Sequence, residues 1–186
     1  GDMKLMSGVS VIGLIASLVG IVMGPYLANR FGKKKVYLTA VIISTALNLL
    51  RLLDVTSMIL IYISALIGGV AGGWMVPVNT SIQADNTTYV QYKTGKRAEA
   101  AIASLTSFVS KVAQGLGGAI PGYVIAAYGF VTGASVQPES INTGIILCAL
   151  ILPLIFGILG LLIFGTQYTL DQKAVIEMDA KINRNN

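Results

Sequence analysis

The chain has 186 residues, of which 54% are hydrophobic and 11% charged, with a mean hydropathy of +0.75 and a net charge of +5. Soluble domains carry about 25% charged residues, so this composition excludes an ordinary soluble globule and predicts an all-α, polytopic transmembrane helical bundle. There is no His, and the single Cys, Cys148, lies in an apolar run, which excludes disulfide frameworks, zinc clusters and Cys–His nucleophile pairs within the chain.

Five apolar runs follow one another. The first covers about 5–27, lacks the basic leader of a signal peptide and runs into a basic loop at 29–35. That loop carries Arg30, Lys33, Lys34 and Lys35. Runs at about 36–53 and 57–78 come next, then a loop at 79–99 with Lys93, Lys96 and Arg97. The fourth run is about 100–128 and the fifth about 143–164, separated by a segment, 131–142, charged only at Glu139. Each is near the length a bilayer requires, which predicts a five-span bundle over 1–165 and a tail over 166–186.

Charge sets the expected orientation. Lys and Arg concentrate in the loops at 29–35 and 79–99 and in the tail, so these are predicted to be cytoplasmic, and 131–142 external. No basic stripe interleaves with aromatics, so no nucleic-acid partner is expected. In the tail, Thr169 and Gln172 have capping-box spacing, and Leu170, Ala174, Val175 and Met178 share a face. This predicts a short amphipathic helix lying on the cytoplasmic membrane surface.

Small residues punctuate the spans. Gly20/Gly24, Gly69/Gly73 and Gly118/Gly122 have the spacing that lets helices approach closely. Pro77 and Pro121 each remove a backbone donor inside a span and are expected to bend it.

One charge stands out. Lys111 is the only charged residue in 100–128. A cation near the middle of a span costs roughly 2.5–3.5 kcal/mol on insertion scales, so such residues face a bundle interior or a water-filled cavity. Snorkelling is the bland alternative, and both interfaces are far from Lys111. Ser104, Ser107, Lys111, Gln114 and Gly118 recur at helical spacing and form a narrow polar face, a predicted cavity lining. Val109, Val112, Leu116 and Ile120 lie opposite, for lipid or packing.

No enzyme constellation is present: there is no glycine-rich phosphate cradle, no Gly-x-Ser-x-Gly elbow, and no Asp or Glu inside any span. The match of Asn86-Thr87-Thr88 to a glycosylation acceptor is spurious if its loop is cytoplasmic.

The most specific signal is Ala84-Asp85-Asn86-Thr87-Thr88-Tyr89-Val90-Gln91-Tyr92-Lys93-Thr94-Gly95-Lys96-Arg97-Ala98-Glu99. It resembles the cytoplasmic loop between helices ten and eleven of the glycoside–pentoside–hexuronide:cation symporters, the major facilitator family that includes the melibiose–sodium symporters. Asp85, Tyr89, Tyr92, Lys93, Gly95, Arg97 and Glu99 carry the match, and Lys111 falls at the spacing of the family's helix-eleven lysine. Asn29-Arg30-Phe31-Gly32-Lys33-Lys34 resembles the superfamily's basic loop after helix eight, and Gly1-Asp2 the end of helix seven. Thr88, Gln91 and Asn29 stand where acids are usual, which thins the charge network.

The resemblance implies helices eight to twelve, with the N-terminal six-helix half and helix seven absent. It implies symport of a sugar or glycoside with a monovalent cation, Na⁺ or H⁺, with no cofactor. The cation-binding carboxylates are expected in the missing N-terminal half, against which this chain would pack. Lys111, Ser107, Gln114, Asn79 and Trp74 become the expected substrate and cation cavity. Asp85, Tyr89, Arg97 and Glu99 become an expected cytoplasmic gate closed by ion pairs. A lysolipid or other small-molecule major facilitator transporter is the nearest alternative reading. A non-transporting membrane scaffold is a further one, in which Lys111 would lack a polar cavity.

Overall fold

The computed structural model describes residues 3–134 and 136–184 and, among them, contains helices and no strands. The expected end of helix seven at Gly1-Asp2 lies outside the described residues.

Helix α1 (Met3–Phe31) and helix α2 (Lys33–Leu53) form a hairpin through one residue, Gly32. Its φ of 88° is costly for any side chain but free for glycine, so the reversal can be this tight. A short turn follows. Thr56 donates its amide and hydroxyl to the Asp54 carboxylate, and Ser57 caps helix α3 (Met58–Thr94) by accepting from the Leu60 amide. Gly95, at φ 70°, ends α3.

Helix α4 (Glu99–Ala127) leads to a loop clamped by Gln137, whose side chain accepts from the Val131 amide and donates to the Val131 carbonyl. Helix α5 (Ser140–Ile146), a π turn (Leu147–Ile151) and helix α6 (Leu152–Gln167) form one continuous rod. In the π turn Leu152 donates five residues back, to the Leu147 carbonyl. Pro153 follows directly. Its ring would collide with an α-helical carbonyl four residues back, and the wider turn lets it pass. Helix α7 (Gln172–Arg184) ends the described chain.

Among the described residues, four helices are long and apolar enough to cross a membrane: Leu5–Phe31, Lys33–Leu53, Met58–Thr94 and Ser140–Gln167. The expected fourth span corresponds to α4, which has the length, but its polar stripe leaves it outside this set.

A further departure concerns extent. The third span is expected to end at residue 78, with a loop over 79–99, yet α3 stays helical to Thr94. At 1.5 Å per residue α3 is about 55 Å long, well beyond a hydrocarbon core of about 30 Å. The tail forms an amphipathic helix, and its residues Ala174, Val175, Met178 and Ile182 are half-buried in a helix that packs on α3. Its start is capped by Asp171, whose carboxylate accepts from the Gln172 amide, and not by Thr169.

The tightest packing joins α1 to α3, and glycines make it possible. A Cβ on Gly24 would lie 2.6 Å from Pro77 Cγ, and one on Gly69 would lie 2.8 Å from Ala16 Cβ. On Gly20 it would overlap the Val70 carbonyl, and on Gly73 the Ser17 carbonyl. With Cβ atoms absent, the two backbones touch directly. At the basic end of this seam Ala28, Val36, Val78 and Ile82 form a buried cluster from α1, α2 and α3.

Candidate functional site

Above that cluster, three elements converge on one buried carboxylate. Asp85 sits on the extended part of α3 and is 6% exposed. Lys33, the first residue of α2, reaches it because the one-residue turn at Gly32 places it beside α3. The Lys33 ammonium donates to both Asp85 oxygens at 2.7 Å. The side chains are 18% and 8% exposed, so the charges compensate each other with little water nearby.

Tyr168, just past the end of α6, supplies a third contact. Its hydroxyl donates to Asp85 Oδ2 at 3.4 Å. The ring stacks on Phe164 at 4.8 Å and 11°, and Phe164 meets Tyr37 at 4.3 Å. Burial pushes the Tyr168 phenol from 10.0 up to about 12, and the charge and hydrogen bond of Asp85 add to the rise. The cluster ties the α1–α2 turn, α3 and the end of α6 at one point.

The expected gate residues are only partly brought together. Asp85 pairs with Lys33 of the basic loop, not with Arg97. Arg97 pairs with Glu99 two residues along, at 2.7 Å, with side chains 73% and 61% exposed, a geometry that contributes little. Tyr89 is on the helix surface, with the Lys93 ammonium 5.9 Å from its ring centroid. Of the basic-loop residues, Arg30 lies over the Phe31 ring, and Lys34 and Lys35 line a cavity beside the Lys33–Asp85 pair.

The expected substrate lining is dispersed. Lys111, Ser107 and Gln114 are exposed on α4, and α4 has no buried residue on any face. Asn79 is exposed on α3. Trp74 is packed against the buried cluster and lines a cavity between α1 and α2, with its buried indole N–H unpaired among the described residues. The opposite face of α4 does line something: Leu116 and Ile120 border an apolar cavity of about 490 Å³ against Cys148, Leu152 and Phe156.

Tyr168 is the residue that sequence reasoning missed. Its signal is weak but present: an aromatic four residues after Phe164, at the boundary of an apolar span.

Residues 1–172 match the family model of the MFS/sugar transport proteins. The chain belongs to this family. It is 31% identical over 184 residues to an uncharacterized symporter of Bacillus subtilis (strain 168), covering 96% of this chain and 39% of that one. It is 30% identical over 178 residues to a glucuronide carrier protein homolog of Escherichia coli (strain K12), covering 91% and 39%. To the isoprimeverose transporter of Lactiplantibacillus pentosus it is 27% identical over 138 residues, covering 71% and 28%. The resemblance to melibiose-type symporters in the major facilitator superfamily is thus borne out, and the family is one of transporters, not enzymes. The chain spans about two fifths of the length of the first two relatives. The Lys33–Asp85–Tyr168 cluster therefore belongs to a multi-pass membrane protein of a sugar-transport family.

Proposed function

We propose that this chain is the C-terminal part, helices eight to twelve, of a transporter that carries a sugar or glycoside together with a monovalent cation, Na⁺ or H⁺. Helix α4 crosses the membrane as the fourth of five spans. Its polar stripe of Ser107, Lys111 and Gln114 faces a cavity completed by the N-terminal half, which also supplies the cation carboxylates. Exposure of this stripe is what supports the reading: a membrane helix with a lone cation and no buried face needs a polar partner surface. The two halves rock about the central site. The basic loops and the C-terminus lie in the cytoplasm.

Within this scheme the Lys33–Asp85 pair is the cytoplasmic latch. It holds the α1–α2 turn on the far end of α3 when that side is closed, and Tyr168 adds the end of α6. Lys111 couples the sites by charge: two unit charges at 4 Å interact by about 4 kcal/mol at an effective dielectric of about 20.

The test is gradient-driven uptake of sugar into vesicles containing the full-length protein. Lys111→Ala is expected to abolish accumulation while membrane expression stays at the wild-type level. Wild-type accumulation by Lys111→Ala would remove the coupling role. Absence of any cation-dependent sugar uptake by the unmodified protein, across the glycosides tried, would count against symport itself.

A further inference from the structure

The basic end of the α1–α2 hairpin holds two cavities that share a wall. The first, about 220 Å³, is lined by Lys33, Lys34, Lys35, Asp85 and Asp171 at the polar end of the helices. The second, about 400 Å³, runs down the membrane-length part of the hairpin and is lined by Met23, Leu27, Val36, Thr39 and Trp74. Phe31 and Lys35 border both.

Charge in the first cavity is not balanced. Lys33 is paired with Asp85, while the Asp171 carboxylate, which accepts from the neutral Gln172 amide, keeps its charge, so the three lysines outnumber the two acids by one. Lys34 and Lys35 make no ion pair among the described residues, and Arg30 sits next to the same corner over the Phe31 ring. A cationic pocket that opens into an apolar groove, at the end of two helices able to span a bilayer, complements one kind of molecule. It needs an anionic head and a hydrocarbon chain joined at the polar–apolar boundary.

We propose that this corner is a binding site for an anionic phospholipid of the surrounding membrane. The phosphate lies against Lys34 and Lys35, and part of one acyl chain lies in the groove beside Thr39 and Trp74. A bound lipid would brace the turn that presents Lys33 to Asp85. The inference needs only the membrane placement of α1 and α2, so it stands or falls apart from the transport reading.

The experiment uses the full-length protein in vesicles of phosphatidylcholine mixed with phosphatidylglycerol, with co-purifying lipid counted by mass spectrometry. Wild type should retain phosphatidylglycerol over phosphatidylcholine. The double variant Lys34→Ser/Lys35→Ser, which leaves the Lys33–Asp85 pair intact, should reduce that preference roughly tenfold. Thr39→Phe, filling the groove, should lower retention of both lipids. A second readout needs no cationic variant: phosphatidylglycerol with a brominated chain should quench Trp74 fluorescence, taken as wild type minus Trp74→Phe. Equal retention of the two lipids, or a preference that survives Lys34→Ser/Lys35→Ser, overturns the proposal. Free glycerol phosphate displacing phosphatidylglycerol at equal concentration would mark a soluble-anion site, and absence of Trp74 quenching would remove the chain from the groove.

Discussion

Helices α1 and α4 are both 29 residues long and both carry a Gly-x-x-x-Gly pair, yet the structure uses them in opposite ways. On α1, Gly20 and Gly24 are pressed against α3, where added Cβ atoms would overlap backbone or Pro77. On α4, Gly118 and Gly122 have nothing within 4 Å of where a Cβ would stand. The same spacing is a finished seam in one place and an unfilled face in the other. Small residues permit close approach, and only the partner decides whether it occurs.

The largest expected effect tests this contrast. Gly73→Leu or Gly20→Leu should force α1 and α3 apart, because the obstructing atoms are backbone and cannot rotate away. Overpacking of this kind costs 1–3 kcal/mol or more, roughly, and the prediction is loss of folded protein in detergent. Gly118→Leu should leave the melting temperature within a few degrees while impairing transport in the full-length protein, if a partner helix fills that face. A destabilisation of Gly118→Leu equal to that of Gly73→Leu would mean that the two seams are alike.

Much of the fold is legible in the sequence for the reasons that this contrast exposes. Apolar length and glycine spacing mark α1 and α3 as spans whose faces permit close approach, since both follow from backbone geometry and bilayer thickness, but they do not name the two as partners. The extension of α3 from Asn79 to Thr94 is not legible in the same way. Its basic residues and its resemblance to a family's cytoplasmic loop read as a connection between spans, and helix propensity alone is too weak a signal to overrule them. The partner of Asp85 is hidden for a related reason. Lys33 is 52 positions away in sequence, and only the one-residue turn and the extended α3 bring the two together. Tyr168 is 83 positions from Asp85 and carries no motif. Lys111 shows the reverse: its chemistry is plain from sequence, but the surface that would enclose it is not contributed by the described residues around α4.

The second effect separates the two ion pairs. Lys33→Met leaves a buried carboxylate without its cation, and Asp85→Leu strands the Lys33 cation, so each single change should cost about 3–5 kcal/mol. The double change Lys33→Met/Asp85→Leu should recover most of that, since it removes both buried charges together. Arg97→Ala breaks only an exposed pair and should cost about 1 kcal/mol or less. Thermal unfolding of the four variants measures all of this. Equal losses for Arg97→Ala and Lys33→Met would mean that burial does not distinguish the pairs. Transport adds a sharper readout: if the Lys33–Asp85 pair latches the closed state, the stable double variant should bind sugar yet transport it with altered rate.

The smallest effect concerns Tyr168. Its hydroxyl is held by a long bond to Asp85, so Tyr168→Phe should cost no more than about 1.5 kcal/mol, and the ring stack on Phe164 survives the change. The titration is more telling than the stability. A phenol raised from 10.0 to about 12 favours its neutral form in the folded protein, first through burial and then through Asp85. The contribution is therefore complete below about pH 10 and lost as pH rises through about 12. Tyrosinate absorbance, taken as wild type minus Tyr168→Phe, should show this group still protonated where an ordinary tyrosine is half ionised. Repeating the titration on a Lys33→Met/Asp85→Leu background tests the order of causes. Removing the carboxylate deletes its charge and its hydrogen bond but not the burial, so the phenol should move only part of the way back toward 10. A complete return would make Asp85 the dominant cause, and no movement would mean that the hydroxyl does not sense the buried pair at all.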